Sequence, residues 1–568
     1  MERRLDELVD VMRVPARGDV SVAVLGTVNL APPQDIDCEV LVAGGGTGGV
    51  AAALAAARRG RRVCLIEETD WLGGQLTAQG VSALDEHDHI ESMGGTASYY
   101  ALRLGLRDHY RRLAGDAGKA ADFNPGQCWV TRLAFEPAVA AAYMRKMLQP
   151  YVANGNLRIF LRTKTAAVTE EYGVIRSVLT LNLDDRTTHR FKPALVIDAT
   201  ELGDLLPLAG IEYRVGAESV AQTGEAHAQP QGPKSHCVQS FTYTFASERR
   251  PDRESHVIPR PERYDYFRSA QPYTLKIEVH GGEIYGETSG FLAYKLYDTM
   301  PGTKGGLWTY RRLLAAEIFG AHASHDVTMI NWPGNDYREQ SIIDQPALQV
   351  AASLQYAKLV SLGFLYWLQT EAPASGDRCG APELKLRPDV MGSTDGLSKH
   401  PYIRESRRIV AVKTVVEQDV SDHFQRGPVA APFLDSVGIG WYPIDIHRSR
   451  SEDVGVSCRT KPFQIPLGTL LPIHGGNLIA ACKNIGTTHI TNGCYRLHPV
   501  EWNIGEAAGA LAAFALQHDL SPKNVRETRL ADFQKTLIDE GVPLAWELGK
   551  LYADKRPLHA NPVSYQKQ

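Results

Sequence analysis

The feature that most constrains what this chain can fold into is the run Gly44-Gly45-Gly46-Thr47-Gly48-Gly49, set between two apolar segments. Asp37 to Ala43 reads as a buried strand, and Val50 to Arg59 as a helix closed by Gly60 at a C-cap position. A strand, a tight turn and a helix with this glycine spacing form a dinucleotide-binding unit. Gly44 permits the turn, Gly46 lets the backbone approach a pyrophosphate, and Gly49 lets helix and strand pack closely. Free amides and the positive dipole end at the helix start, beside Thr47, then hold the phosphates. The second strand, Arg62 to Glu67, ends on a carboxylate 18 residues beyond Gly49. A carboxylate there accepts hydrogen bonds from ribose hydroxyls and repels a 2′-phosphate.

A chain of 568 residues exceeds what one core supports, so two or three domains are expected. With 61 basic against 65 acidic residues the net charge is −4, which gives no sign of a nucleic-acid or membrane partner. Residues 1–14 lack the continuous apolar stretch of a signal peptide. The longest apolar run, Val40 to Ala57, is too rich in Gly and Ala to read as a membrane span. The eight cysteines form no CxxC pair and no metal-ligand spacing, so they read as reduced, mostly buried thiols, and no metal is expected. These features describe a soluble, cytoplasmic protein acting on a small molecule, and a homo-oligomer is compatible with them.

Composition divides the chain further. Residues 1–36 read as an extension, a short amphipathic helix and then a loop through Pro32 and Pro33, with packing on its own domain as the default and capping of a neighbour or a dimer partner as the alternative. Residues 37–213 form the first part of an α/β domain, with a helix near Phe135 to Asn154. Its further strands are Leu157 to Leu161, Ala166 to Glu170, Val174 to Leu181 and Leu195 to Ala199. Residues 214–393 are rich in Gly, Pro and aromatics, among them Tyr264, Tyr273, Tyr285 and Tyr294, and are expected to form an inserted α+β domain over the substrate. Residues 394–516 complete the first domain, with a strand at Asn477 to Ala481 and a helix at Pro499 to Leu516. Residues 517–568 read as peripheral helices.

Three further segments narrow the cofactor. Gly73-Gly74-Gln75-Leu76-Thr77 resembles the loop that runs beneath the ribityl and flavin in flavoproteins of the glutathione-reductase type. Val196 to Thr200 resembles their "ATG" strand end, with Glu201 standing where Gly is usual. Asn331 to Tyr337, Arg404 to Arg408 and Asn477 to Ala510 match the same pattern. On these residues the chain resembles the FAD-dependent oxidoreductase family of the glutathione-reductase-type superfamily. The resemblance implies FAD as cofactor, a discontinuous Rossmann-type FAD-binding domain and redox chemistry. It places Gly74, Gln75, Asn484 and Gly505 with Gly44, Gly46, Thr47, Gly49 and Glu67 in the cofactor site. It also aims the helix from Pro499 at the flavin N1 and C2 carbonyl, where its dipole would stabilise negative charge.

Arg496 and His498 flank that helix start, which makes them the catalytic candidates. His498 is suited to take a proton while hydride leaves for flavin N5, and Arg496 to pair with the flavin edge or a substrate carboxylate. A structural role is open to both. His489 and the loop residues Asn335, Asp336 and Tyr337 are the substrate-side candidates, although that loop also suits a plain connection between domains. Arg404, Arg407 and Arg408 around Glu405 read as salt bridges to the core. No second GxGxxG, GxSxG elbow or HExxH motif is present. The expected function is therefore an FAD-dependent dehydrogenase or oxidase that moves hydride from a small polar substrate to flavin N5. A flavin monooxygenase and a flavoprotein using FAD without redox turnover are the alternatives.

Overall fold

The structure, a computed structural model, describes residues 1–120, 122–251, 254–279, 290–449 and 455–553. Tyr285 and the end of the C-terminal segment, 554–568, lie outside these residues. Among the described residues no helix is long and apolar enough to cross a membrane.

The continuous apolar runs become parallel strands covered on both faces. Strand β4 (Gln34–Ala43) lies between β5 (Val63–Ile66) and β9 (Thr188–Asp198), with Val42 opposite Leu65 on one side and Ile197 on the other. Strand β6 (Leu157–Phe160) extends the sheet beyond β5, and β16 (Leu478–Ala480) pairs with the end of β9, Ile479 opposite Ile197. The start of β9 also pairs with β8 (Val174–Asn182). With β7 (Thr163–Glu171) and β1 (Glu2–Arg4), β8 makes an antiparallel flank. One mixed sheet thus joins segments from both ends of the chain, and the fold is of α/β class with a Rossmann-type centre.

Helix α1 (Thr47–Arg58) is buried from Thr47 to Ala57, and α6 (His498–Gln517) from His498 to Ala515. A helix that is apolar all round needs cover on every side. Helix α1 meets β4, β5 and β9 on one side and α6 on another. Glycine sets that approach: a Cβ at Gly505 would fall 2.0 Å from the Gly48 carbonyl oxygen, and one at Gly509 2.1 Å from that of Ala52. Helices α2 (Ala97–Ala114) and α3 (Pro137–Ala153) complete this layer. The sequence reading contains α3 but not α2, whose start is capped by the Thr96 hydroxyl accepting from the Tyr99 amide.

A second core forms around α4 (Ala347–Thr370) and a four-stranded antiparallel sheet. The strands are β10 (Phe245–Arg249), β11 (Arg312–Leu314), β12 (Val327–Ile330) and β13 (Leu384–Leu386), with β10 between β12 and β13. The N-terminal extension corrects the expectation of a helix packed on its own domain. It forms β1 and a hairpin of β2 (Glu7–Val9) and β3 (Val24–Gly26), and Val9, Val11, Val14 and Ala23 enter the second core. A partner strand outweighs local pattern here, because β1 takes its hydrogen bonds from β7, far away in sequence. The C-terminal segment is not wholly peripheral either: Trp546 is buried, 5.3 Å from His87 and 5.8 Å from Trp441 between ring centroids.

Candidate functional site

The carboxyl ends of β4, β5 and β9 converge on one cavity, lined by Gly44, Glu67, Thr200, Glu201, Gly74 and His400 among others. That convergence is where open parallel sheets bind ligands. Gly44 has φ +94°, and a Cβ there would meet the Ala199 carbonyl oxygen at 2.2 Å. Gly49 presses on Gly44, 1.8 Å from Cβ to oxygen, whereas the nearest neighbour of a Cβ at Gly46 among the described residues is Glu201 Oε1 at 2.6 Å. Gly46 therefore faces the Glu201 side chain, which lines the cavity, and Gly49 the packed side of the turn. The Thr47 hydroxyl donates to the Gly73 carbonyl at 2.9 Å, tying the turn to the Gly74-Gln75 loop.

Glu67 accepts from the amides of Gly45 (2.7 Å) and Thr69 (2.8 Å) and from the Thr69 hydroxyl (2.7 Å). Burial, with Glu68 beside it, pushes its carboxyl up to about 7. Gln75 donates to Glu501 Oε2 at 2.8 Å and to the Arg496 carbonyl at 3.1 Å, so the loop is fastened to the start of α6. Lys483, fully buried, lies 2.6 Å from Glu201 and 3.0 Å from Glu501. The sequence reading passes over Lys483 and Glu501, since a lysine after a strand carries no motif. Two sequence candidates are not cofactor contacts through their side chains. The Asn484 amide donates to the Asp198 carbonyl and its oxygen accepts from the Cys482 amide, so it joins the ends of β9 and β16. Gly505 serves the packing of α6 on α1.

A second cavity opens beside the start of α6. Arg496, Tyr402, Arg404, Arg311, Asp445 and His447 line it, with the rings of Trp129, Tyr310 and Tyr442. Strand β14 (Ile444–Ile446) builds one wall by alternation: Ile444 and Ile446 are buried, while Asp445 and the following His447 face the cavity. Its partner is β15 (Val456–Cys458), Ile444 opposite Cys458. Arg496 donates to the Tyr402 hydroxyl at 2.8 Å and to Asp445 Oδ2 at 3.2 Å. His447 Nδ1 lies 2.6 Å from Asp336 Oδ2, and its Nε2 lies 3.5 Å from Asp445. Burial alone would raise the Asp336 carboxyl, but Arg404, 3.1 Å away, and His447 hold it well below the usual carboxylate range. Asp336 is thus an acceptor, and His447 Nδ1 is the donor.

The sequence candidates divide sharply. Arg496 lines the second cavity, and Asp336 reaches it through His447 and Arg404. His498 is a correction. Its Nδ1 accepts from the Asp85 amide at 3.0 Å and its Nε2 donates to the Val81 carbonyl at 3.1 Å, so both ring nitrogens are spent on backbone. Burial pushes it down to about 4 despite Asp85, which suits a neutral structural ring rather than a base. His489, the first residue of α5 (His489–Tyr495), is outside this cavity too. Against burial, Glu405 at 2.9 Å raises it to about 10, and Glu405 also binds Arg408. Asn335 accepts from the Trp332 amide and donates to the Tyr243 carbonyl, and Tyr337 packs in the second core 5.3 Å from Phe241. Both are structural. His447, Asp445, Tyr402 and Arg311 are absent from the sequence reading, although the alternation Ile444-Asp445-Ile446-His447 carried a signal. The fold also gathers His227, Glu417 and Cys458 with ligand atoms within 4.8 Å of one another, a grouping that sequence spacing hides.

A family model described as FAD dependent oxidoreductase matches residues 39–537. The chain belongs to that family. This FAD-dependent oxidoreductase is 37% identical over 98 residues to an N,N-dimethylglycine/sarcosine dehydrogenase of Chromohalobacter salexigens, a match covering 17% of this chain and 13% of that relative's length. Among solved structures it is similar to L-proline dehydrogenase from P. horikoshii (18% identity, 30% of this chain and 24% of that one, TM-score 0.18). Another is the glycerol-3-phosphate dehydrogenase from Bacillus halodurans complexed with FAD (14% identity, 38% and 40% of the chains, TM-score 0.21). The residues present fit the cofactor. A Cβ at Gly46 would meet the end of the Glu201 side chain, which lines the cavity, and the buried atoms Glu201 Oε1, Gln75 Oε1 and Gln79 Nε2 have no hydrogen-bond partner among the described residues.

Proposed function

We propose that this FAD-dependent oxidoreductase is a dehydrogenase or oxidase that oxidises a small polar molecule at a carbon bearing an O–H or N–H group. The hydride acceptor would be N5 of a bound FAD. The turn at Gly46 and Thr47 would hold the pyrophosphate, Glu67 the ribose, and Gly74 and Gln75 the chain beyond it.

The observation that carries the reading is His447 fixed on Asp336 beside the Arg496 cavity. With Nδ1–H given to the Asp336 carboxylate, Nε2, 3.5 Å from Asp445, is the ring nitrogen left to take a proton. As the substrate C–H bond breaks and its electron pair leaves as hydride, the O–H or N–H proton passes to Nε2 and a C=O or C=N bond remains. Asp336 orients the ring, and Arg404 orients Asp336. Trp129, Tyr310, Tyr402 and Tyr442 wall the cavity and limit water. The partial likeness to an N,N-dimethylglycine/sarcosine dehydrogenase is in keeping with a dehydrogenase. The eight cysteines form no disulfide among the described residues and seven are buried, in keeping with a reducing, cytoplasmic setting.

The test is anaerobic mixing of the purified yellow protein with a panel of small alcohols, amines, and hydroxy and amino acids. Bleaching by a panel member supports the reading, and fast recovery of colour on admitting oxygen marks an oxidase. A transient oxygen-adduct absorbance favours a monooxygenase. Flavin that no panel member reduces counts against hydride transfer.

A further inference from the structure

The second cavity carries more guanidinium donors than its own acceptors use. The side chains of Arg404, Arg496 and Arg311 are only 1%, 2% and 6% exposed. Their terminal nitrogens are occupied: Arg404 by Ser240, Thr242 and Asn331, Arg496 by Tyr402 and Asp445, and Arg311 by Ala83 and Asp85. Each keeps a buried Nε–H with no acceptor among the described residues. Buried donors are normally paired, and unpaired ones gather where a ligand supplies the acceptor.

The acids beside them point the same way. Asp85 pairs with Arg311, Asp336 with Arg404 and His447, and Asp445 with Arg496. An incoming cation would find every carboxylate engaged, whereas an anion entering the cavity would meet three arginines that each hold one buried, unpaired Nε–H. Guanidinium geometry suits planar carboxylates, and the ring-lined wall leaves room for a small body. We propose that this cavity takes a small organic acid, whose carboxylate is held by the spare Nε–H groups of Arg311, Arg404 and Arg496. Calling that acid the substrate rests on the hydride-transfer reading. The selectivity of the cavity does not.

The experiment is isothermal titration of the FAD-containing protein with benzoate and acetate, and with their neutral counterparts benzamide and acetamide. At least one acid should bind tenfold or more tightly than its amide. Arg404→Lys, which keeps the charge but loses the Nε–H, should weaken that acid at least tenfold and leave the amide nearly unchanged. Flavin content reports whether the variant is folded, and Arg496→Lys serves if R404K loses its flavin. Equal binding of acid and amide, no acid binding at all, or an acid affinity unmoved in the folded variant overturns the proposal. Acids that bind while nothing reduces the flavin would sink the hydride-transfer reading and leave the acid site standing. Bleaching by a neutral alcohol or amine with no acid binding would do the reverse.

Discussion

His447 Nδ1 donates to Asp336 Oδ2 at 2.6 Å, although the two residues lie 111 positions apart in sequence. The bond commits Nδ1 to the carboxylate and leaves Nε2 beside Asp445 in the cavity wall. In Asp336→Asn the amide can present N–H to Nδ1, which favours the opposite tautomer and blocks Nε2 as an acceptor. We expect D336N to retain FAD and to lose about 10²–10⁴-fold in the rate of flavin reduction. Stopped-flow reduction with flavin content measured alongside checks this, and an unchanged rate would remove Asp336 from the positioning role.

The glycines of the turn should fail in two different ways. A Cβ at Gly46 meets only the far end of Glu201, and its backbone is in an ordinary conformation, so Gly46→Ala should fold but exclude the pyrophosphate. A Cβ at Gly49 falls 1.8 Å from a backbone oxygen, so Gly49→Ala should unfold or lose well over 1–3 kcal/mol, the usual range for overpacking. Circular dichroism and flavin absorbance separate the two outcomes. Yellow, fully loaded G46A protein would contradict the placement of the phosphates.

His498 should act on stability rather than on rate. His498→Gln can keep at most one of the two bonds to the Val81 and Asp85 backbone, at a cost of about 1–3 kcal/mol for the group left unpaired. Denaturant unfolding should show that loss, while bound flavin is reduced at the wild-type rate. A rate loss of 10²-fold or more with stability intact would return His498 to the chemistry.

His489 gives a pH dependence of known sign. Its folded value of about 10 lies above the ordinary 6.5, so its contribution is fully present below pH 6.5 and is lost as pH rises through about 10. His489→Gln should therefore lower Tm most near neutral and acidic pH, and the gap should close as pH approaches 10. Calorimetry across that range checks it, and a gap that widens with pH would contradict the Glu405 pairing.

What could be read from the sequence was what lies close together in it. The turn from Gly44 to Gly49 sits between its own strand and helix, so spacing alone announced that unit, with Glu67 just past the next strand. Strand β16 and helix α6 were legible through the family pattern. The second cavity was not, because β14, the Asp336 loop, Arg311 and Arg404 meet only in the folded chain. His498 was misassigned because nearness to a helix start says nothing about where a ring points, and this one turns to the 81–85 loop. The N-terminal strands were missed because β1 and the β2–β3 hairpin are specified by what they pair with and pack against.

The central claim is that His447 accepts the substrate proton as the flavin is reduced. The most direct measurement is the anaerobic rate of flavin reduction by whichever panel compound bleaches the wild-type protein, compared with His447→Gln at matched flavin content. The account predicts that H447Q binds FAD fully and is reduced about 10²–10⁴-fold more slowly, with the loss largest at neutral pH and smaller at high pH, where hydroxide can take the proton. Reduction of H447Q at the wild-type rate across the pH range would contradict it.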